Sequence, residues 1–375
     1  MQNIGVRIIG SVNAPNEIGA LVRGAAIGFS KLGIETSLGG IEQKGEPVAV
    51  YDSEYVNRLN ILLSAKHTMP YVAIHINRAE AITFVEKDAI ANIAWIAPSY
   101  DKIPFLQSIL LQSMPLSEIW APTKAQAQIL KSSMTMKPNK VEVIPFGFDV
   151  DTFNPRAKKL EGVRKDGHFY FSAAGNLVPE YGLDLLLDAF YSEFSNDENV
   201  HLVWNPTLNM VKPEEKNKVA SDILNKYKGT SKASVICFTE DQNDKFMASF
   251  LASSDCFVAP YRACGWGDDG LKALACGNRL ITNVNTFNNY ANHLNSISLP
   301  SSRNKIVDIN WIMNNIIYQE CSWHEINKTN LRQAMRDAYV NPIKKDLSSN
   351  ISKEYDWSNV LMMAVTHIRK YGDKK

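Results

Sequence analysis

Through the N-terminal part of the chain, short β-branched runs alternate with longer stretches whose apolar residues recur every three or four positions. The pattern predicts strands at IGVRIIG (4–10), YVAIHIN (71–77), NIAWIAP (92–98), EIWAPT (118–123) and VEVIPFG (141–147). It predicts a helix over 18–33, with apolar residues at 18, 21, 22, 25, 29 and 32 and Gly33 closing it. Strands interleaved with helices argue for a parallel sheet covered on both faces, and such sheets bind ligands at the carboxyl ends of their strands.

Over 146–167 the periodicity disappears and Pro, Gly and charges accumulate, as in a surface linker. A second alternation follows: strands at 168–176, 200–206, 233–240, 255–262 and 279–284, and a helix over 181–194. The expected organisation is α/β, two Rossmann-like domains over 1–155 and 165–350. The tail YDWSNVLMMAVTHIRKY (355–371) reads as an amphipathic helix behind an Asp356 cap, and a separate C-terminal helical segment is assigned to 356–375.

The length, 375 residues, suits two domains of roughly 100–200 residues each. With 40 basic and 39 acidic residues the formal charge is +1, so no global field attracts nucleic acid or an anionic membrane, and any anion site must be local. Five cysteines without CxxC spacing argue against a disulfide framework or a zinc site and for a reducing compartment. No window approaches the roughly 18 apolar residues of a membrane span, so a cytoplasmic protein, at most peripheral to a membrane, is expected.

The stretch PYRACGWGDDGLKALACGNRLIT (260–282) carries the most specific chemistry. Gly265 and Gly267, flanking Trp266, stand between a strand and a helix, where backbone N–H groups can close on an anion at the helix start; the same glycines would also serve a plain tight turn. A parallel arrangement occurs at SAAGNLVPEYGLDLLLDAF (172–190), where Gly175 ends a strand and Gly182 opens a helix. Two such turns in one domain can face one ligand.

These stretches resemble the glycosyltransferases of the GT-B fold, in the broad family 4 group of retaining, nucleotide-sugar-dependent enzymes. EIGALVRGAAIGFSKLGI is similar to the group's N-terminal glycine turn and helix, and VEVIPFGFDVDTFNP to its interdomain signature. GNLVPEYGLDLLLDAF and APYRACGWGDDGLKALACGNRLITN resemble its two donor-binding segments, and YDWSNV the start of its final helix. The resemblance implies two domains facing a central cleft, a last helix crossing back to the first domain, and a first domain on the acceptor side. It implies a nucleoside diphosphate-sugar donor as substrate, no cofactor, no metal, and a hydroxyl on a glycan or lipid-linked acceptor. Association with a membrane surface or a partner transferase is compatible with it.

The departures fall on the donor site. The group's Arg and Lys align with Asn176 and Tyr181, and its two glutamates with Cys264 and Lys272. Charged hydrogen bonds contribute about 1.5–3 kcal/mol each, so either other groups substitute or the site is vestigial, leaving a non-catalytic glycan-binding or scaffold subunit. Arg262, Lys272 and Arg279 are the candidate replacement cations. Asp268 and Asp269 are expected as first-turn helix acids, with metal ligation the minor alternative. In the first domain, His75 is a candidate contact to a sugar hydroxyl, or else a buried structural histidine. Gly19 and Arg23 lie on the turn that would face the donor phosphates, although helix entry behind an Asn16 cap explains them too. Trp95, Tyr100 and Asp101 fall where relatives carry a further motif, and core packing is the expected role of Trp95.

Overall fold

The computed structural model describes residues 4–14, 16–40, 51–134, 140–208, 211–229, 233–240, 243–286, 290, 294–306, 318–343 and 350–372. The chain divides into two compact units, one of Met1–Asp149, Asn315–Cys321 and Lys353–Lys375, the other of Val150–Asn314 and Ser322–Ser352.

In the first unit the order is β1 (Gly5–Gly10), α1 (Glu17–Lys31), β2 (Thr36–Gly40), α2 (Ser53–Ser64), β3 (Tyr71–Ile76), β4 (Ala91–Trp95), α3 (Phe105–Ser113), β5 (Glu118–Ala121), α4 (Lys124–Ser133) and β6 (Val141–Val143). The six strands pair in parallel in the order β2-β1-β3-β4-β5-β6. The chain goes from β1 to β2 on one side and then crosses to β3 on the other, so the strand order reverses between β1 and β3.

The second unit repeats the device with β7 (Phe169–Asn176), α5 (Leu183–Glu193), β8 (Val200–Thr207), α6 (Lys216–Lys228), β9 (Ser234–Cys237), α7 (Asp244–Ala252), β10 (Cys256–Ala259), α8 (Asp268–Ala275), β11 (Arg279–Asn283) and β12 (Ser296–Leu299). Its order is β12-β11-β10-β7-β8-β9, again all parallel, with the reversal between β7 and β10. The core strands are buried along their length, which is why they read as continuous apolar runs rather than alternating ones.

Three features depart from the sequence expectation. The strands β2 and β12 and the antiparallel pair Ser301–Lys305 with Ser322–Ile326 are present though the pattern is too polar to announce them. So is the helix Lys328–Val340. The segment after Val150 is no loose linker: Leu160 N–H donates to Ser253 Oγ at 2.7 Å, Arg164 pairs with Asp255 at 3.0 Å, and Lys165 N–H donates to Tyr170 Oη at 2.9 Å. It is stitched to the second unit by polar contacts, which leave no apolar period to read.

The C-terminal helix, Trp357–Gly372, packs in the first unit. Phe148 and Asp356 form a bridge that brings it there, with Phe148 N–H donating to Tyr355 C=O at 2.9 Å. Three glycines admit Trp357 and Leu361. A Cβ at Gly24 would lie 2.3 Å from Trp357 Nε1, one at Gly147 would lie 2.9 Å from Trp357 Cδ2, and one at Gly28 would lie 2.4 Å from Leu361 Cδ1. Trp95 meets the same ring edge-on at 6.3 Å, stacks on Phe146 at 4.5 Å, and donates its indole N–H to Ile144 C=O at 2.9 Å, so it is a core residue.

Replacing Trp357 by Ala empties this three-glycine slot and is expected to destabilise the first unit by about 3–5 kcal/mol, the usual cost of a large-to-small change in a core. Urea denaturation followed by circular dichroism measures it. A midpoint equal to that of the unsubstituted chain would show that the helix does not hold the unit together.

Candidate functional site

Both reversal points coincide with sequence candidates. In open parallel sheets the two helices that follow the reversing strands lie on opposite faces and leave a crevice at the strand carboxyl ends, the usual ligand position. In the second unit that crevice lies beyond β7 and β10.

Gly175, next to the end of β7, has φ +126°. Its missing side chain makes room for Tyr181, since a Cβ there would lie 2.2 Å from Tyr181 Cδ1. Tyr181 is half-buried and meets Tyr261 edge-on at 4.8 Å. The turn after β7 and the loop after β10 are bonded into one wall. Arg262 and Ala263 N–H groups donate to Glu180 C=O at 2.6 and 3.2 Å, and Tyr261 Oη donates to Ala174 C=O at 3.2 Å. Asn176 is half-buried at the tip of β7.

The helices leaving this wall begin in the same unusual way. The N-cap of α5 is Gly182 at φ +62°, and that of α8 is Gly267 at φ +77°, both left-handed, and neither helix has a side-chain cap. By contrast α1, α2, α4 and α7 are capped by the side chains of Asn16, Asp52, Thr123 and Asn243. A side-chain cap would occupy the N–H groups at a helix start, which otherwise favour an anion. The α8 turn is held rigidly from behind: Tyr290 Oη donates to the carbonyls of Trp266 and Gly267, and its ring meets the buried Trp266 edge-on at 6.1 Å. Gly265 is half-buried and Cys264 is buried.

The cations proposed as replacements for the missing Arg and Lys are already neutralised. Arg262 is buried, bidentate to Asp184 at 2.7 and 2.8 Å, and bonded through Nε to Glu325 at 2.9 Å. Burial would lower its pKa, but Asp184 and Glu325 hold it above the ordinary arginine value. Lys272, also buried, reaches Asp268 at 2.5 Å and Asp244 at 3.8 Å, with its ammonium 4.5 Å from the Phe153 ring centre. Burial again pulls its pKa down, and Asp268 and Asp244 more than offset this. A glutamate at 272, as the family-4 pattern has, would face those two carboxylates. Lys272 and its acids form a single buried unit whose members must be kept or exchanged together. Arg279, the third candidate cation, pairs with Asp337 at 3.2 Å.

The acids at the head of α8 differ from each other. Asp268 is buried and its pKa is raised by that burial, with Lys272 pulling the other way. Asp269 is half-buried, and burial first and Asp268 second push it up to about 6. Among the described residues no group of three His, Cys, Asp or Glu side chains is placed to hold a metal ion.

In the first unit His75 is on β3, next to its end, but 1% exposed. Its Nε2 is 3.1 Å from Asn92 Oδ1, Phe84 meets its ring edge-on at 5.6 Å, and desolvation lowers its pKa, with Asn92 opposing. That environment is the one of the buried structural histidine. Gly19 lies in the first turn of α1, its N–H donating to the Asn16 cap at 3.1 Å. Arg23 is 1% exposed and has no carboxylate partner among the described residues. Sequence reasoning missed Asp184, Asp244 and Glu325, because only the fold brings them to the cations they neutralise.

The chain matches no protein-family model and no curated protein sequence. Solved structures do resemble it. Sucrose-phosphate synthase from Thermosynechococcus elongatus superposes with a TM-score of 0.67 at 10% identity over 98% of each chain. α,α-Trehalose 6-phosphate synthase from Burkholderia multivorans superposes at 0.65 with 10% identity, over 98% of this chain and 99% of that one. HepE from Anabaena, solved with UDP and glucose, superposes at 0.61 with 11% identity, over 98% and 99%. What the chain shares with these glycosyltransferases is the two-domain α/β GT-B fold.

Asp269 supplies a pH test of the site's electrostatics. Its folded pKa, about 6, lies above that of an unfolded aspartate, so its protonated form favours folding and ionisation on raising the pH through about 6 costs stability. Asp269→Asn is expected to be more stable than the unsubstituted chain by roughly 1–2 kcal/mol near pH 8, a gap that closes toward about pH 4. Urea midpoints at several pH values measure it, and a gap independent of pH would place the carboxyl in water.

Proposed function

We propose that the chain is a glycosyltransferase that binds a nucleoside diphosphate-sugar at the β7/β10 edge of its second unit. The observation that carries this reading is the pair of left-handed glycine caps, Gly182 and Gly267, on the two helices that flank the strand reversal. α3 and α6 also lack a side-chain cap, but their N-caps, Pro104 and Glu215, are not left-handed; the left-handed glycine caps fall where a ligand crevice is expected.

In this reading the diphosphate is held mainly by backbone N–H groups and helix-start dipoles around Gly175 and Gly265–Gly267, not by Arg262 or Lys272. Asn176 and Tyr181 supply neutral hydrogen bonds where family 4 enzymes have Arg and Lys. The sugar–phosphate bond breaks as a bond forms to an acceptor hydroxyl on the same face, and the departing phosphate oxygen takes the hydroxyl proton. Configuration is retained and no protein carboxylate has to act as nucleophile. The acceptor is a glycan or lipid-linked hydroxyl, the first unit is the acceptor side, and the compartment is cytoplasmic, with peripheral attachment to a membrane or to a partner transferase. No described helix is long and apolar enough to cross a membrane. HepE was solved with UDP and glucose, and a pneumococcal O-GlcNAc transferase of related fold with UDP and GlcNAc.

A second reading, a non-catalytic subunit of GT-B fold, is favoured by the two acids at the head of α8, Asp268 and Asp269, and by the neutralised cations. A structure of the GtfA/B complex is also similar, with a TM-score of 0.52 at 15% identity over 86% of this chain and 61% of that one.

Thermal shifts with UDP, GDP, ADP and their sugars separate the two. A nucleotide at about 100 times its Kd adds roughly 2.7 kcal/mol of stability. At least one is expected to do so, and the same nucleotide-sugar should be turned over with release of the nucleoside diphosphate. Gly267→Val, which strains a left-handed position and fills the anion's space, should remove the shift. Binding without turnover selects the second reading, and no shift from any nucleotide overturns the first.

A further inference from the structure

An acid stands at the helix start that the donor reading gives to a diphosphate. Asp269 is the second residue of α8, close behind the left-handed Gly267 cap, and the helix has no side-chain cap of its own. It is half-buried, and its carboxyl makes no hydrogen bond or ion pair among the described residues. The neighbouring Asp268 differs, being buried and paired with Lys272 at 2.5 Å. The charged groups that act on Asp269 are Asp268 and Lys272 of its own helix and Asp244 at the start of α7. Lys272 is the cation among them, and it already faces two carboxylates. Tyr261, which follows β10, also feels the Asp269 charge, and burial keeps that phenol neutral.

Two tendencies oppose each other at this position. A helix start favours a carboxylate, by about 0.3–1 kcal/mol at a surface site. Burial and the Asp268 charge disfavour it, and they win, since the carboxyl is pushed up to about 6. At neutral pH Asp269 is therefore ionised at a cost, with its charge where the negative charge of a diphosphate would come. Two anions at one helix start repel each other, whereas a protonated Asp269 carries no charge and offers an O–H to a phosphate oxygen.

We propose that donor binding is coupled to protonation of Asp269: the crevice takes the diphosphate together with one proton from solvent, which Asp269 holds as a neutral acid and returns when the ligand leaves. This rests on the donor reading above and adds to it a regulation by pH. The bound diphosphate raises the proton affinity of Asp269 further, so the complex holds more protons than the free chain. By linkage the affinity is greatest where the free chain is already protonated, and it falls as the pH rises through the folded value of about 6, by up to about tenfold per pH unit.

The test is isothermal titration calorimetry of the full chain with UDP-glucose, GDP-mannose and ADP-glucose. Both phosphates of a nucleotide-sugar are esterified, so the ligand has no phosphate proton that titrates near neutrality. Run in buffers of different ionisation enthalpy, the titration counts the protons taken up. At about pH 7 the unsubstituted chain is expected to take up roughly half a proton or more per ligand, and its affinity to fall at least about tenfold between about pH 5.5 and about pH 8. Asp269→Asn, neutral at every pH, is expected to take up none and to bind at about pH 8 as tightly as the unsubstituted chain does at about pH 5.5. If Asp269→Asn does not fold, Asp269→Ser reads the same loss, and the uptake by the unsubstituted chain needs no variant. Binding without proton uptake or pH dependence overturns the proposal and leaves the donor reading standing. Uptake that persists in the folded Asp269 variant overturns it by placing the proton on another group. Failure of all three nucleotide-sugars to bind at any pH overturns the donor reading and the proposal together.

Discussion

The reversal of strand order beside β7 is the constraint on which the second unit depends. A parallel strand needs a crossover to its neighbour, and the chain spends two of them reaching β9 before returning to the far side of β7. The helices after β7 and β10 therefore start at the same edge and leave on opposite faces. Gly175, Gly182 and Gly267 are what that junction demands of the backbone, since all three have positive φ. The bonds from Arg262 and Ala263 to Glu180 C=O then fix the spacing of the two turns.

Charge placement is the second organising principle. Two buried cations of the second unit are each held by two acids: Arg262 by Asp184 and Glu325, both distant in sequence, and Lys272 by Asp268, one helical turn away, and the more distant Asp244. Removing one partner of such a group typically costs about 3–5 kcal/mol, so the cations are bound to the fold and are not free for a ligand. The glycine turn consequently offers backbone N–H groups and a helix start, with the nearby Arg262 and Lys272 already paired. Arg23, in the first unit, is bonded to two backbone carbonyls and has no carboxylate partner among the described residues.

The C-terminal helix shows how glycines serve packing as well as turns. Gly24 and Gly28 are one helical turn apart on α1, and Gly147 follows β6; together they form the slot that takes Trp357 and Leu361. In sequence they resemble ordinary breakers. Their meaning comes from a residue more than two hundred positions away.

The sequence by itself determined the α/β class, the two alternations and the glycine turns, because hydrophobic period and Gly placement are local consequences of strand and helix geometry. It also placed Gly175 at a strand end and Gly267 just ahead of a helix. It did not reveal β2, the pair Ser301–Lys305 with Ser322–Ile326, or the helix Lys328–Val340, whose polar composition hides them until a neighbour covers one face. Nor did it tell which charges are available. Arg23, Arg262 and Lys272 look alike in the sequence, as single basic residues near glycines. Only the tertiary structure decided that the last two are neutralised while the first has no carboxylate partner among the described residues, because an ion pair depends on which carboxylates the fold brings within reach, and Coulomb energy falls with distance in space, not with separation along the chain.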